Sequence, residues 1–284
     1  MTTPRIPRIE LRDGTSIPQL GLGVFQVPPD ETAGVVADAL EAGYRHLDTA
    51  QMYGNEAGVG QAIAAAGLPR EELYVTTKLN NGFHRPDDAR RAFDDSLARL
   101  GLDRVDLFLI HWPLPTLYDG DFVSTWRTLS ELTADGRATS IGVSNFQPDH
   151  LDRIVDETGV VPVVNQVECH PFFRNDRVRS ANQRHGVVTE AWAPIAKGAV
   201  ADDEAIVQIA RDAGKTPAQV VLRWHLQHGH VVFPKTTRPE RMRENADLFD
   251  FELTDDQVAV IDGLDRGEEG RTGAHPDRFD WIPA

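Results

Sequence analysis

The chain has 284 residues, enough for one α/β barrel or about two ordinary domains. Its 29 Lys and Arg against 44 Asp and Glu give a net charge of −15, which argues against a surface built to neutralise nucleic-acid phosphates. A 40% hydrophobic, 26% charged composition with a single cysteine, Cys169, excludes a disordered chain and an internal disulfide, and no apolar run approaches the ~20 residues that span a bilayer.

Residues 1–10 scatter Arg5, Arg8 and Glu10 among two prolines without an apolar centre, so no secretory signal is expected and a cytoplasmic location is. An Asp13-Gly14 turn between short apolar stretches predicts a β-hairpin, a cap over residues 1–18. Strands are predicted at 19–24, 44–49, 73–79, 105–111, 139–145, 163–169, 187–193 and 231–235. Leu107-Phe108-Leu109-Ile110 is continuously apolar, as suits a parallel strand covered on both faces. Between the strands, apolar residues keep helical spacing, as at Phe93, Leu97 and Leu100 after Asp87-Asp88, and at Ile206, Ile209, Ala210 and Ala213. Gly43, Gly67, Gly101, Gly136, Gly159, Gly186, Gly214 and Gly229 stand where such helices should stop. Residues 198–203 predict a loop, Asp202-Asp203-Glu204 a helix start, and Thr216-Pro217 the cap of an additional helix before the last strand. The tail, 267–284, is predicted to be irregular, and no linker divides the chain. Eight strands alternating with helices predict a single (β/α)8 TIM barrel over residues 1–284, with extra helices before strand 8 and near the C-terminus. The rival, an open doubly wound sheet, lacks its fingerprint, because Gly21-Leu22-Gly23 is followed by Gln26 where a third glycine belongs.

In such barrels the chemistry sits at the carboxyl ends of the strands. Asp48, Lys78 and His111 end the second, third and fourth strands, and Tyr53 follows the second by five residues. Singly, Asp48 reads as a turn residue, Tyr53 as packing and His111 as a core histidine. Lys78 is harder to place that way, since a buried ammonium is costly without a partner. Adjacent strands bring all four to one mouth. There a Lys78–Asp48 pair is expected to lower the Tyr53 pKa from about 10 and make the phenol a proton donor, with His111 orienting a carbonyl oxygen.

These residues lie in stretches that resemble the aldo-keto reductases, especially the bacterial diketogluconate reductase type. The stretches are Gly43-Tyr44-Arg45-His46-Leu47-Asp48-Thr49-Ala50 with Tyr53-Gly54-Asn55-Glu56, then Thr76-Thr77-Lys78-Leu79 and Asp106 to Pro113. Ile141 to Phe146, Val164 to Pro171, and Pro234-Lys235-Thr236 with Arg241, Glu244 and Asn245 complete the set. The resemblance covers nearly the whole chain. It implies NADPH-dependent reduction of an aldehyde or ketone to an alcohol, with Tyr53 as proton donor, Asp48, Lys78 and His111 assisting, and no metal. It further implies that Ser144, Asn145 and Gln166 bind the nicotinamide carboxamide and that Trp192 stacks on the ring. The loop beginning at Pro194 would cross the pyrophosphate. Lys235, Thr236 and Arg241, with Arg238 adding charge, would hold the 2′-phosphate, and Glu244 and Asn245 would meet the adenine. A solvated basic face or a core aromatic is the plain alternative for these last groups.

Two departures stand out. Asn80 occupies the place, two residues after the lysine, where relatives carry tryptophan, and Pro194-Ile195-Ala196-Lys197 replaces the usual leucine and small residue. Phe25, Met52, Asn80, Phe83, Trp112, Phe146 and Trp281 are the candidate pocket walls, and Asn80 is expected to offer both a donor and an acceptor there. The expected partner is a small-molecule carbonyl substrate bound by a monomer, with no nucleic acid and no membrane. A cofactor-binding sensor or scaffold with weak turnover, and an aldolase or isomerase using Lys78 as a Schiff-base amine, are the alternatives from other classes. No Cys/His spacing suggests a structural zinc site.

Overall fold

The computed structural model describes residues 6–283. Strands β1 (Arg8–Glu10) and β2 (Ser16–Pro18) pair antiparallel as the predicted hairpin. Its turn is held by Asp13 Oδ1, which accepts from the Thr15 amide at 3.0 Å and hydroxyl at 2.7 Å. Eight parallel strands follow, each beside its neighbour in the chain: β3 (Leu22–Gly23), β4 (His46–Asp48), β5 (Tyr74–Leu79), β6 (Val105–Ile110), β7 (Ala138–Ser144), β8 (Val164–Glu168), β9 (Val188–Trp192) and β10 (Val231–Val232). The sheet closes on itself where Leu20 bridges Val232 in parallel, the Gly21 amide donating to Val232 O at 2.8 Å and the Val232 amide to Gln19 O at 3.0 Å.

The strands at this seam are shorter than the sequence predicts because the backbones crowd there. A Cβ at Gly23 would lie 2.7 Å from the Phe233 carbonyl oxygen, and one at Gly21 would lie 2.8 Å from the His46 ring. The Gly21-Leu22-Gly23 triplet therefore serves barrel closure.

Helices α1 (Pro29–Glu41), α2 (Glu56–Ala65), α3 (Pro86–Leu100), α4 (Phe122–Ala134), α5 (Pro148–Thr158) and α6 (Asp176–His185) alternate with the strands. Two helices, α7 (Glu204–Ala213) and α8 (Pro217–Gln227), precede β10, and α9 (Pro239–Ala246) and α10 (Asp255–Asp262) follow it. The caps fall where the sequence puts them: Asp203 accepts from the Ala205 and Ile206 amides, and Thr216 forms a capping box with Gln219. All eight helix-stopping glycines have positive φ. The predicted loop at 198–203 is instead part of a 3-10 segment, Ala196–Asp202, kinked by left-handed Lys197 and Gly198.

Strand β6 shows how the layers divide. Phe108 and Ile110 face the helices, the Phe108 ring 4.5 Å from that of Phe93 on α3, while Leu107 and Leu109 pack with Leu11 and Ile17 of the hairpin. Each such buried side chain contributes about 1.5–3 kcal/mol. The hairpin thus plugs the amino end of the barrel, and the carboxyl ends of the strands remain to form a mouth. Among the described residues no helix is long and apolar enough to cross a membrane.

Candidate active site

Asp48 and Lys78 end neighbouring strands and meet inside the barrel. Lys78, wholly buried, donates from Nζ to Asp48 Oδ1 at 2.6 Å, Thr49 O at 2.9 Å and the Tyr53 hydroxyl at 3.4 Å. Tyr53 sits on a 3-10 turn, Gln51–Tyr53, ended by left-handed Gly54. Buried Asn55 fixes this turn to the barrel through bonds to Val24 O, Val27 O and the Thr49 hydroxyl. The Tyr53 ring lies between Phe25, at 5.0 Å, and the edge of His111, at 5.7 Å. The four residues predicted from strand ends therefore form one constellation.

Its electrostatics differ from expectation in one respect. Burial lifts the Tyr53 pKa, Lys78 lowers it and Asp48 raises it again, so the phenol stands above its ordinary value. The ammonium is closer to Asp48, at 2.6 Å, than to the Tyr53 hydroxyl, at 3.4 Å, and its effect on the phenol does not overcome burial. Burial likewise pulls the Lys78 ammonium down, but Asp48 and Tyr53 more than restore it, and it stays charged. His111 is held well below its usual value by burial and by Lys78, so its imidazole is neutral. Its Nδ1 is enclosed without a partner among the described residues, which leaves Nε2 for a ligand.

Along the mouth, Ser144 donates to Gln166 O at 2.8 Å. Asn145, left-handed at φ 64°, donates from Nδ2 to His111 O and Ser144 Oγ, and its Oδ1 accepts from Trp192 Nε1 at 2.9 Å. Gln166 Nε2 donates to Asp48 Oδ2 at 2.8 Å and Glu190 Oε2 at 3.1 Å. The donors of all three residues are thus used internally; Gln166 Oε1 takes no bond from the described residues, while Ser144 Oγ and Asn145 Oδ1 each accept one bond and keep a second lone pair. Pro194 is buried, its carbonyl accepting from His225. Beyond β10, exposed Lys235, Arg238 and Arg241 form no ion pair among the described residues, whereas nearby Lys215 is held by Asp247 and Asp250. Thr236 caps Arg238 N, Glu244 accepts from the Thr216 hydroxyl at 2.8 Å, and Asn245 is buried on α9. These residues fit the phosphate and adenine end of an NADP(H) molecule, and Gln166 Oε1 with the second lone pairs of Ser144 and Asn145 fits its carboxamide.

Phe25 (54% exposed) lies against Tyr53, half-buried Met52 precedes Tyr53 on its turn and half-buried Trp112 follows His111, whereas exposed Phe83 lines a surface hollow with Asp88, Arg91 and Ala92 of α3 and exposed Trp281 lies in the tail. Two further pocket expectations need correction. Phe146 is completely buried against Phe122 and His150 and belongs to the helix layer. Asn80 offers a free donor, Nδ2, but only a half-used acceptor, because its Oδ1 already accepts from Gly82 N at 3.1 Å to cap the next turn.

Three features were not anticipated. Glu168, at the end of β8, accepts from the Thr272 amide and hydroxyl, both at 2.6 Å, from the Gly273 amide at 3.0 Å and from His170, tying down the tail. Farther along, Phe279 stacks on Trp112 at 4.0 Å and Asn81 donates to Trp281 O, so the irregular tail is a strap across the mouth. Cys169, His225 and His230 converge with ligand atoms within 4.8 Å, but each already bonds inside the fold, the thiol to Arg174 O and the two imidazoles to one another. Glu190 is the third, a wholly buried carboxyl beside Asp48. The rule that singled out Lys78, an ionisable residue within an apolar strand, applies equally to Glu190.

Residues 19–266 match the pattern of the Aldo/keto reductase family. An aldo-keto reductase of Mycolicibacterium smegmatis is 48% identical over 97% of this chain and 99% of its own length, and methylglyoxal reductase DkgA of Escherichia coli is 46% identical over 98% and 99%. Among solved structures, a Gox0644 mutant in complex with NADPH superposes with a TM-score of 0.93 at 46% identity, covering 98% of this chain and 100% of that one. An aldo-keto reductase of Bombyx mori in complex with NADP gives 0.86 at 37% identity, covering 92% and 93%. With that match along most of its length and the strand-end constellation in place, the chain belongs to the aldo/keto reductase family.

Proposed function

We propose that this NADP(H)-dependent oxidoreductase reduces an aldehyde or ketone, with Tyr53 delivering the proton to the carbonyl oxygen. The observation that carries this is the buried Lys78 Nζ shared between Asp48 Oδ1 and the Tyr53 hydroxyl. Bound nicotinamide supplies the hydride, and the protein supplies alignment and the proton. A phenol with a raised pKa keeps its proton until charge develops on the substrate oxygen, a far stronger base. Lys78, held charged by Asp48, then stabilises the phenolate left behind. Neutral His111 donates from Nε2 to the same carbonyl oxygen and orients it.

Ser144, Asn145 and Gln166 surround the carboxamide, whose two hydrogens go to Gln166 Oε1 and to a second lone pair of Ser144 Oγ or Asn145 Oδ1, Trp192 backs the ring, Lys235, Arg238 and Arg241 with Thr236 hold the 2′-phosphate, and Glu244 and Asn245 meet the adenine. Apolar Phe25, Met52 and Trp112 with Asn80 Nδ2 suit a small carbonyl compound with one polar flank, a sugar-derived ketone or a small aldehyde. Methylglyoxal, named for the DkgA relatives, belongs in the test panel. A Schiff-base role for Lys78 is disfavoured, since its amine is protonated and fully bonded. A monomer in the cytoplasm completes the proposal, supported by the lone buried thiol of Cys169.

Tyr53→Phe tests the assignment. It should lower kcat by about 10²–10⁴-fold while the NADPH Kd changes by less than about twofold. Full turnover in the variant, or loss of NADPH binding together with turnover, would remove Tyr53 from the role of proton donor.

A further inference from the structure

Glu190 lies on β9 directly beside Gln166 on β8, the two being register partners, and both side chains turn into the barrel under the mouth. Gln166 has two amide hydrogens. One goes to Asp48 Oδ2 at 2.8 Å and the other to Glu190 Oε2 at 3.1 Å. An amide held by only one of these contacts could rotate or flip, exchanging its oxygen for its nitrogen at the mouth. Held by both, it has one orientation.

We propose that Glu190 is a positioning residue for the reduction: together with Asp48 it takes both hydrogens of the Gln166 amide and so presents Gln166 Oε1 to the carboxamide of the nicotinamide. This rests on the proposed function, in which Gln166 meets that carboxamide. The chemistry of Glu190 suits the task. Burial, with Asp48 beside it, pushes its carboxyl up to about 8, so at neutral pH it is mostly the neutral acid. Oε2 accepts from Gln166, and the proton belongs on Oε1, which takes no bond from the described residues. A neutral acceptor steadies Gln166 without placing a second negative charge next to Asp48 and Lys78, the pair on which Tyr53 depends. A glutamine at 190 could do the same through its carbonyl, whereas an apolar side chain could not.

The test compares Gln166→Leu, Glu190→Met, the double variant and Glu190→Gln by fluorescence titration with NADPH in the absence of substrate. Each of the first two should raise the NADPH Kd about tenfold, the loss of one well-made hydrogen bond. The double variant should show no more than that about tenfold loss, because Glu190 acts through Gln166, and Glu190→Gln should stay within about twofold of the parent. Losses that multiply in the double variant, or unchanged binding in Glu190→Met, overturn the proposal. Should Glu190→Met fail to fold, the parent protein with ¹⁵N-labelled glutamine answers the question: both Gln166 amide protons should exchange slowly, and one fast proton overturns the claim. A parent protein that bound no NADPH would refute the proposed function instead, and the amide exchange would still judge the hold of Glu190 on Gln166.

Discussion

Lys78→Met keeps an unbranched side chain, one atom shorter, and deletes its charge. In the parent protein the ammonium has three partners, Asp48 Oδ1 at 2.6 Å, Thr49 O at 2.9 Å and the Tyr53 hydroxyl at 3.4 Å, all inside the barrel. Without it, Asp48, only 2% exposed, keeps the single donor from Gln166 on Oδ2. Removing one partner of a buried ion pair costs about 3–5 kcal/mol, because the other charge is left uncompensated. Total stabilities run at about 5–15 kcal/mol, so the variant should fold with its folding constant lowered by about two to nearly four orders of magnitude. Urea unfolding at pH 7, followed by circular dichroism, should show a lower midpoint with an unchanged slope. Lys78→Met with Asp48→Asn should recover much of the loss, since it removes the stranded charge as well. The pH dependence has a definite sign: the folded pKa of Lys78 lies above its ordinary 10.5, so its stabilisation is complete below that value and disappears as the pH rises through the folded pKa. Lys78→Met should lack this alkaline loss. A cost below about 1 kcal/mol, or a double variant no more stable than the single one, would show that Asp48 does not depend on Lys78 for its charge.

Arg241→Ala should weaken NADPH by about tenfold and leave NADH nearly unchanged, one charge-assisted contact to the 2′-phosphate being lost; equal losses measured by titration would place Arg241 elsewhere. Burial raises the Glu168 pKa, but His170, Thr272 and Gly273 bring it below its ordinary 4.5, so the hold on the tail is complete above that value and weakens as the pH falls through the lower folded pKa. Protection of the Thr272 and Gly273 amides, measured against the intrinsic exchange rate at each pH, should therefore fall in strong acid, and in Glu168→Gln at neutral pH; protection unchanged in both would refute the latch. A Cβ at Gly273 would overlap the Trp192 indole and stand 3.0 Å from Glu168 Oε2, so Gly273→Ala should cost about 1–3 kcal/mol and disturb Trp192 fluorescence; a shift in neither quantity would mean that the strap has room to move.

The parts of this molecule legible in its sequence are those decided locally. A glycine ending a helix needs only its own left-handed φ, and the eight glycines, the Asp203 and Thr216 caps and the β6 run could be placed without knowing the fold. Lys78 was legible because a charge inside an apolar strand demands a partner, and the strand order then supplied Asp48. The Tyr53 pKa was not, since its direction is set first by how completely the closed barrel buries the phenol, which outweighs the ammonium 3.4 Å away. Phe146 was misplaced because a strand end says little about which side of the barrel the next residue packs against. The strap could not be read either, as its anchor, Glu168, and its backbone donors, Thr272 and Gly273, are brought together only by the closed barrel.

Taken together, the hydrogen bonds divide the mouth into two chemical halves. On the β7–β9 side the framework consumes every side-chain hydrogen of Ser144, Asn145 and Gln166, and the Trp192 Nε1 hydrogen as well. What remains there is Gln166 Oε1 and the second lone pairs of Ser144 Oγ and Asn145 Oδ1 beside an aromatic face, suited to a planar group that brings its own N–H. On the β4–β6 side the order is reversed: the acceptors, Asp48 and Thr49 O, are turned inward onto Lys78, and the Tyr53 hydroxyl and His111 Nε2 find no acceptor among the described residues. A carbonyl oxygen that gains negative charge is favoured only on that second side. In the proposed reduction, the orientation of substrate relative to cofactor follows from which atoms the barrel has already satisfied. Glu190 matters in this arrangement because it removes the last free hydrogen, the second one on the Gln166 amide, from the acceptor half.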